Sequence, residues 1–316
     1  MSKIGLGLAA LGRPEYINIR SEASIDLSIA AFEKNTFEVL DLAYKLGVRH
    51  FDTAPSYGKG EAFLLRWNQL RHHPDATLST KWGYTYVANW ELGYQGAHEI
   101  KEHSLKKLKE QWQVSKQMLP ALNVHQIHSA TFDSGVLENQ DVLEELMRMK
   151  RQNGIKIGIS TSGANQSEIL KEALKIKIDQ QELFDSFQVT YNVLDQSCLE
   201  ILQEAKSRNK FIIIKEALAN GRIFKNKTFE HYNTLYDLLQ QLSEKYKVGP
   251  DAIAIRYCLD SLGPDIVLSG AANTKELVEN LKAESFQLEA EEIARLKNMK
   301  TNSGVYWNER KELKWV

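Results

Sequence analysis

Residues 49–82, RHFDTAPSYGKGEAFLLRWNQLRHHPDATLSTKW, contain one complete strand–helix–strand unit. The runs at 49–54 and 77–82 are short and apolar, as β-strands of a buried sheet are, whereas residues 60–70 carry apolar side chains at helical spacing. Two strands that are joined through a helix lie parallel in one sheet. This stretch therefore predicts a parallel α/β fold.

The same alternation continues along the chain. Strands are predicted at residues 4–9, 49–54, 77–82, 122–128, 155–160, 186–191, 211–216 and 266–270. Helices are predicted at residues 36–46, 60–70, 99–113, 141–152, 166–176, 198–208, 229–246, 251–262, 274–282 and 290–299, with a polar tail after them. Eight strands that alternate with helices close into a barrel, so we expect one (β/α)8 TIM-barrel domain over residues 1–316.

An open, doubly wound sheet is the rival fold. It requires a glycine-rich phosphate-binding turn between an early strand and a helix. Gly5 and Gly7 lie in the first predicted strand, but they precede no helix of that kind. The barrel is therefore preferred.

Composition excludes several classes of partner. The chain has 40 basic and 41 acidic residues, for a net charge of -1, and the two signs are mixed along its length, which argues against binding to nucleic acid. No apolar run approaches the roughly 18 residues of a membrane span, and the N-terminal run fits a strand better than a signal peptide. We therefore expect a cytoplasmic protein without a membrane partner.

Cysteines and histidines give no sign of a metal site. Cys198 and Cys258 stand apart from any CxxC pattern, so both are expected to be buried thiols. The pair at 72 and 73 and the pair at 98 and 103 do not match metal-ligand spacing on one helical face, so these histidines are expected at the surface. No metal is predicted.

Four residues at the predicted strand ends have complementary proton chemistry: Asp52, Tyr57, Lys81 and His128. In a barrel, the loops after the strands converge on one pocket. A tyrosine has a pKa of about 10, and a nearby ammonium such as that of Lys81 is expected to lower it. Asp52 would keep Lys81 charged and oriented, and His128 would hydrogen-bond a substrate carbonyl. His125 has the opposite strand parity and is expected to pack against a helix.

This set suits the reduction of a carbonyl group. When hydride reaches the carbonyl carbon, the oxygen becomes an alkoxide that requires a proton and oriented hydrogen-bond donors. Tyr57 and His128 would provide both. A barrel lyase or isomerase that uses Lys81 as a Schiff-base nucleophile is an alternative reading of the same residues.

The residues themselves resemble a known family. The stretch FDTAPSYG at residues 51–58, followed by Gly60 and Glu61, is similar to the signature of the aldo-keto reductases. The resemblance continues in order through STK (79–81), QIH (126–128), GIS (158–160), FQVTYN (187–192), ALANG (217–221), SGA (269–271) and NTKELVEN (273–280). It covers nearly the whole chain.

The resemblance implies an NAD(P)(H)-dependent oxidoreductase that interconverts a carbonyl and an alcohol. Tyr57 would be the general acid/base, supported by Lys81, Asp52 and His128, with Ser160 and Gln188 on the nicotinamide carboxamide. The full set of implied cofactor contacts is Gly7, Leu8, Asp52, Ser160, Gln188, Lys215, Glu216, Leu218, Gly270, Ala271, Asn273, Lys275, Glu279 and Asn280. Some members of the family are regulatory subunits with little turnover, and this alternative stays open.

Three positions depart from the family pattern. Lys215 stands where many members have an aromatic residue that stacks on the nicotinamide, and Thr161 stands where many have an asparagine. Glu276 occupies the position of an arginine that binds the 2′-phosphate of NADP(H), which favours NAD(H), although Lys275 is adjacent. Because the family binds NADP(H) more often than NAD(H), NADP(H) is slightly favoured, with NAD(H) as the alternative.

Substrate contacts are harder to predict, because they lie in variable loops. Trp82 and Trp90 follow the Lys81 strand and are candidate walls of the substrate pocket. Tyr306 and Trp307 would reach the pocket only if the C-terminal tail folded over it. The expected partner is a small carbonyl or alcohol substrate, and the protein is expected to be a monomer or a weak homo-oligomer.

Overall fold

The computed structural model describes residues 2–16 and 26–314. The strands are β1 (Ile4–Gly7), β2 (His50–Asp52), β3 (Thr77–Trp82), β4 (Tyr84–Tyr86), β5 (Glu99–Lys101), β6 (Leu122–Ala130), β7 (Lys156–Thr161), β8 (Lys177–Ile178), β9 (Gln181–Glu182), β10 (Ser186–Thr190), β11 (Phe211–Lys215) and β12 (Ile266–Ser269). Eight of them run parallel and close into a barrel in the order β1-β2-β3-β6-β7-β10-β11-β12. The predicted (β/α)8 barrel is therefore confirmed.

Helices follow the barrel strands. They are α1 (Ala9–Gly12), α2 (Ile29–Lys45), α3 (Gly60–Arg71), α4 (Leu105–Ser115), α5 (Gln140–Asn153), α6 (Gln166–Ala173), α7 (Leu199–Ser207), α8 (Asn233–Tyr246), α9 (Pro250–Leu262), α10 (Thr274–Leu281), α11 (Ala290–Lys297) and α12 (Ser303–Glu312). Short 3-10 turns lie at Lys116–Met118, Phe132–Ser134, Ala219–Gly221, Lys227–Tyr232 and Lys282–Glu284.

Helix α5 illustrates how the sequence builds the outer layer. Asn139 begins the helix by accepting a hydrogen bond from the Val142 amide, and Gly154 ends it with φ of 66°. Val142, Leu146 and Met149 recur at helical spacing and are all buried against the barrel. Full burial of each such side chain stabilises the fold by roughly 1.5–3 kcal/mol.

The predicted helix at 99–113 is wrong at its beginning. Glu99–Lys101 forms β5, which pairs antiparallel with β4 (Tyr84–Tyr86) as a hairpin arm over the carboxyl end of the barrel strands. The helix begins only after Ser104, whose hydroxyl accepts a hydrogen bond from the Lys107 amide. The pairing between distant segments outweighs the local helical pattern, and it brings Glu99 to the barrel mouth.

The predicted polar tail is also wrong. Asn302 caps helix α12, which buries Tyr306 and Trp307 against the barrel. Tyr306 accepts a hydrogen bond from Asn192, and Trp307 donates one to Asp195. The part of the prediction that concerns residues 315 and 316 lies outside the described residues.

Burial corrects two of the histidine predictions and agrees with the cysteine prediction. His98 and His103 are buried rather than superficial, and the His103 Nε2 lies 2.9 Å from the backbone oxygen of His128. Cys198 and Cys258 are both buried free thiols. None of the helices in the described ranges has the length and apolar character that crossing a bilayer requires.

Candidate active site

The barrel brings the four predicted catalytic side chains together. Asp52 ends β2, Lys81 lies in β3 and His128 in β6, while Tyr57 stands on the loop after β2. The carboxyl ends of parallel strands share one edge, so these positions converge. All four side chains are buried, and that of Lys81 is fully so.

Asp52 is the centre of a hydrogen-bond network. Its Oδ2 accepts from the Lys81 Nζ at 2.5 Å, and its Oδ1 accepts from the Ser79 hydroxyl at 2.6 Å and from the Gln188 Nε2 at 3.0 Å. The Lys81 Nζ also donates to the Thr53 backbone oxygen at 3.1 Å. A buried ion pair is retained only when such additional hydrogen bonds satisfy both charges, so the position of the ammonium group is fixed.

Tyr57 lies beside that ammonium. The Lys81 Nζ is 4.9 Å from the centroid of the Tyr57 ring. The expected lowering of the tyrosine pKa is nevertheless wrong: burial raises the pKa of Tyr57 well above its usual value, and the Asp52 carboxylate raises it further. Burial and the Asp52 carboxylate together outweigh the attraction of the Lys81 ammonium, so Tyr57 is a neutral phenol at neutral pH.

His128 packs edge-on against Tyr57, with ring centroids 5.6 Å apart at 87°. Burial lowers the pKa of His128 well below 6.5, and the nearby charges of Lys81 and Lys215 lower it further. The Ser56 hydroxyl lies 3.4 Å from its Nδ1. His128 is therefore a neutral imidazole whose orientation is supported from the Tyr57 loop.

Gly12 fixes the loop that carries Tyr57. Its backbone oxygen accepts from the Lys59 amide at 2.7 Å, and a Cβ atom at Gly12 would come within 2.1 Å of the Tyr57 backbone oxygen. Only glycine permits this approach. Arg13, the next residue, donates to the Ser56 backbone oxygen at 3.2 Å.

Asp52, Tyr57 and His128 line a cavity of about 780 Å³ at the carboxyl ends of the strands. Its size is within the range of small-molecule and cofactor sites. Among the described residues, the remaining lining consists of Gly7, Ala9, Ala10, Arg13, Tyr16, Tyr84, Glu99, Ser129, Thr131, Ser160, Ser162, Gln188, Lys215, Glu216, Ala217, Leu218, Asn220, Gly221, Phe224, Asp251, Leu268, Ser269, Gly270, Ala271, Ala272, Glu276, Asn280 and Arg310.

Most of the predicted cofactor contacts are in this lining. The exceptions are Leu8, Asn273, Lys275 and Glu279. Leu8 is buried in the core, the Asn273 side chain caps α10, Lys275 is exposed, and Glu279 pairs with Lys282. Packing, capping and ion pairing direct the side chains of Leu8, Asn273 and Glu279 elsewhere, and Lys275 is exposed to solvent.

The two predicted pocket tryptophans do not line the cavity. Strand alternation directs Lys81 into the barrel and Trp82 to the opposite face, where it packs edge-on against His103 at 5.5 Å. Trp90 packs against Phe32 with ring centroids 5.2 Å apart, and its indole donates to the Leu27 backbone oxygen. Tyr16 and Tyr84 line the cavity instead.

Two ion pairs at the cavity were not predicted from the sequence. The Arg13 Nη1 lies 2.8 Å from the Glu99 Oε1, and the Arg310 Nη2 lies 2.6 Å from the Glu216 Oε1. Burial would raise the pKa of Glu216, but the charges of Arg310 and Lys215 outweigh it and lower that pKa to about 2. A strand predicted at residues 99–101, in place of the start of a helix, would have indicated that Glu99 lies near the cavity. No local signal in the sequence identifies Arg310.

Lys215 stands at the first position that departs from the resemblance. Its Nζ donates to the Thr190 hydroxyl at 2.9 Å and to the Ser162 hydroxyl at 3.2 Å, and it lies 3.7 Å from the Glu216 Oε1. Burial lowers the pKa of Lys215 to about 8. It therefore offers a cation at the cavity wall in place of an aromatic face.

Thr161 and Glu276, the other departures, differ in their access to the cavity. Thr161 is buried outside the lining, whereas Ser160 lines the cavity and accepts from the Ser129 amide at 2.8 Å. Glu276 also lines it and accepts from the Ala272 amide and the Asn273 side chain, each at 2.8 Å. It thus anchors the loop that enters α10 and adds negative charge there.

The residues present fit a bound carboxamide nucleotide. The Gln188 Oε1 is buried and has no hydrogen-bond partner among the described residues, so it can accept from a ligand amide. Gly270 has open space where a side chain would stand. Within residues 2–16 and 26–314, by contrast, no group of three His, Cys, Asp or Glu side chains is arranged to hold a metal ion.

Known proteins resemble this chain along its length. The model of the aldo/keto reductase family matches residues 3–301. An uncharacterized oxidoreductase of Bacillus subtilis, YqkF, is 23% identical over 97% of this chain and 94% of its own length. The aldo-keto reductase YhdN of the same organism is 21% identical over 87% of this chain and 83% of its own length.

Solved structures share the fold. The glycerol dehydrogenase AKR11B4 from Gluconobacter oxydans superposes with a TM-score of 0.71 at 20% identity, covering 95% of this chain and 91% of that one. The holo form of the aldo-keto reductase AKR11C1 from Bacillus halodurans gives 0.69 at 21% identity, covering 95% and 92%. A mutant of Gox0644 in complex with NADPH gives 0.63 at 23%, covering 96% and 91%. Because the family model spans nearly all of its 316 residues, this chain belongs to the aldo/keto reductase family of oxidoreductases.

Proposed function

We propose that this protein interconverts a small carbonyl compound and the corresponding alcohol with NAD(P)(H), and that Tyr57 is its general acid/base. The observation that carries the proposal is the buried Asp52–Lys81 pair, which fixes an ammonium group beside the neutral Tyr57 ring at the edge of one large cavity.

Tyr57 is suited to donate a proton. Burial and the Asp52 carboxylate raise the pKa of Tyr57, so the phenol keeps its proton at neutral pH until an alkoxide forms beside it. The Lys81 ammonium then stabilises the phenolate that remains. In the reverse direction, the phenolate accepts the proton of the alcohol.

His128 is suited to orient the substrate oxygen. The Nδ1 of its neutral imidazole lies 3.4 Å from the Ser56 hydroxyl, so Nε2 would be the nitrogen that faces the carbonyl. A neutral histidine can donate one hydrogen bond without competing with Tyr57 as an acid. Tyr57 and His128 would thus hold one oxygen atom from two sides.

The opposite side of the cavity would hold the nucleotide. Gln188 and Ser160 would bind the carboxamide, and Gly270 and Asn280 would lie along the remainder. When bound, the nicotinamide supplies or accepts the hydride. The NADPH complex of Gox0644 supports NADP(H), while the carboxylate of Glu276 favours NAD(H); NADP(H) remains the first expectation.

The Schiff-base alternative is disfavoured by the surroundings of Lys81. Its Nζ is bound by Asp52 and by the Thr53 backbone oxygen, and the side chain is inaccessible. A nucleophilic amine must instead be neutral and reach the substrate. Lys81 has the properties of a fixed cation.

A fluorescence titration with NADPH and with NADH tests the proposal, followed by a panel of aldehydes and ketones with the preferred nucleotide. We expect binding well below the millimolar range and consumption of the nucleotide with at least one carbonyl class. If neither nucleotide binds below the millimolar range, the proposed function is wrong. Nucleotide binding without turnover of any carbonyl would instead favour a regulatory subunit.

A further inference from the structure

Lys215 is a second lysine at the cavity, and its surroundings differ from those of Lys81. Its side chain lines the cavity and is 15% exposed, whereas that of Lys81 is 1% exposed and lies outside the lining. The Lys215 Nζ contacts hydroxyl groups, that of Thr190 at 2.9 Å and that of Ser162 at 3.2 Å, rather than a carboxylate at hydrogen-bond distance. A molecule in the cavity can therefore reach the Lys215 amine.

Two cations share one carboxylate beside this amine. Glu216 accepts from the Arg310 Nε at 3.0 Å and from its Nη2 at 2.6 Å, whereas the Lys215 Nζ is 3.7 Å from the Glu216 Oε1. A guanidinium group does not lose its proton in proteins, so Arg310 remains the bidentate partner of Glu216. Among the described residues, no other carboxylate lies within ion-pair distance of Lys215. Of the two cations, Lys215 is therefore the one that can become neutral.

The location of Lys215 favours the neutral amine. Burial is the largest cause of its lowered pKa, which is about 8. The charges of Arg310 and Lys81 act in the same direction, whereas Glu216 and Cys198 oppose the change. At pH 7.5 about a quarter of Lys215 is then neutral, whereas only about a thousandth of an ordinary lysine with a pKa of about 10.4 is neutral. A lowered pKa next to another cation is the usual way in which proteins activate a lysine as a nucleophile.

The hydroxyl groups around the amine suit addition to a carbonyl group. Thr190 donates its own proton to the Glu216 Oε2 at 3.1 Å, so it accepts from Lys215 and holds the amine in place. The Ser162 hydroxyl, which lies 3.2 Å from that of Ser129, can instead turn its proton toward the oxygen atom of an adding carbonyl group. Ser162 and Ser129 both line the cavity. The amine thus has a fixed position and a proton donor next to it.

We propose that Lys215 is a nucleophilic amine that binds aldehydes in the cavity covalently, as a reversible imine. The neutral Nζ adds to the carbonyl carbon, and the resulting carbinolamine loses water, because the carbonyl oxygen leaves with the two protons that the amine carried. No oxidant, reductant or second substrate is consumed. The site goes beyond the proposed function, since imine formation requires neither a nucleotide nor Tyr57.

The test traps the imine in the full chain without nucleotide. The protein is incubated with benzaldehyde and sodium cyanoborohydride at pH 7.5, and hydride from the reagent reduces each imine to a stable secondary amine. Peptide mass spectrometry then measures the rate of modification at each lysine. Lys175, whose side chain is 68% exposed, is the internal reference. Lys156→Arg, at the amino end of β7, is the matched control for Lys215→Arg.

Lys215 is expected to be modified about tenfold or more faster than Lys175. One rapidly incorporated equivalent per chain should disappear in Lys215→Arg and remain in Lys156→Arg. Between pH 7.5 and pH 9.5, the ratio of the Lys215 rate to the Lys175 rate should fall by about tenfold or more, because Lys215 is already largely neutral at the higher pH and the reference is not.

Arg310→Met separates an activated amine from one that is merely accessible. Without the guanidinium, Glu216 has only Lys215 as its cation, so the amine should stay protonated and its modification should slow by about threefold or more. A lysine that reacts only because the cavity admits the aldehyde would instead react faster once the arginine is removed.

Modification of Lys215 no faster than that of Lys175 in the wild type would overturn the inference. Faster modification in Arg310→Met, or a Lys215 to Lys175 ratio that stays constant between pH 7.5 and pH 9.5, would overturn it as well. None of these results touches the proposed function, because the trapping uses no nucleotide. Conversely, trapping at Lys215 in a protein that reduces no carbonyl compound would support this inference while the proposed function fails.

Discussion

The Lys81 Nζ lies 2.5 Å from the Asp52 Oδ2 inside the barrel, where both side chains are almost completely inaccessible to solvent. The two residues come from adjacent parallel strands, and Asp52 also accepts from Ser79 in the register partner position. The Lys81 ammonium lies beside the Tyr57 ring, and the Asp52 carboxylate accepts a hydrogen bond from Gln188. It therefore connects the proton chemistry with the nucleotide side of the cavity.

Asp52→Asn should disrupt this centre. The change leaves the buried Lys81 charge without its counter-ion, which typically costs about 3–5 kcal/mol, and it should lower kcat by about a hundredfold or more because Lys81 loses its fixed position. Urea unfolding and steady-state kinetics measure both effects. Asp75→Asn, at an exposed ion pair, is the control and should change each far less. A stable, active Asp52→Asn protein would show that the pair is dispensable.

Gly12→Ala should displace the loop that carries Tyr57. The new methyl group would stand 2.1 Å from the Tyr57 backbone oxygen, so the loop must move. We expect a loss of roughly 1–3 kcal/mol in unfolding free energy and a larger proportional loss of kcat than of nucleotide affinity. For stability, Gly270→Ala is the control because its side chain would meet open space. Unchanged kcat in Gly12→Ala would contradict the role assigned to this contact.

Glu216 should make stability depend on pH in the acid range. Its folded-state pKa of about 2 lies below the ordinary 4.5, so its contribution is fully present above pH 4.5 and is lost as the pH falls toward 2. The shift corresponds to roughly 3 kcal/mol at neutral pH. In urea titrations from pH 7 to pH 3, the stability difference between wild type and Glu216→Gln should narrow below pH 4.5. If the difference in unfolding free energy between wild type and Glu216→Gln stays constant from pH 7 to pH 3, the protonation of Glu216 is not coupled to stability.

The pH dependence of the two reaction directions should differ. Because the pKa of Tyr57 is raised and that of His128 is lowered, neither group changes its protonation between pH 6 and about 7.5 in the free protein. Carbonyl reduction should be flat over this range, whereas alcohol oxidation, which needs the Tyr57 phenolate, should rise by about tenfold per pH unit. Initial rates in both directions test this. An inflection of the reduction rate near pH 6.5 would contradict a neutral His128.

Local patterns in the sequence were sufficient for the barrel and for its central residues. Alternation along β6 separates His128, which faces the cavity, from His125, which packs against Trp112 of α4 with ring centroids 5.0 Å apart. The same alternation directs Lys81 inward, and it should have excluded Trp82 from the pocket. These positions follow from strand parity and strand ends, which are properties of a short segment.

The two ion pairs at the cavity depend on contacts between segments that lie far apart in the sequence. Glu99 reaches Arg13 only because residues 84–86 and 99–101 form a hairpin, and Arg310 reaches Glu216 only because α12 docks on the barrel. Both ion pairs join residues more than eighty positions apart. The helix itself has weak periodicity, and its docking relies on Tyr306, Trp307 and their buried hydrogen bonds.

The most direct test of the central claim is kcat for carbonyl reduction by Tyr57→Phe at saturating nucleotide, with Tyr246→Phe, outside the cavity lining, as the control. The phenylalanine keeps the ring beside Lys81 but carries no proton to donate. We predict that Tyr57→Phe lowers kcat by about a hundredfold or more while its nucleotide dissociation constant stays within about threefold of wild type. If Tyr57→Phe keeps a kcat within about threefold of wild type, Tyr57 is not the general acid.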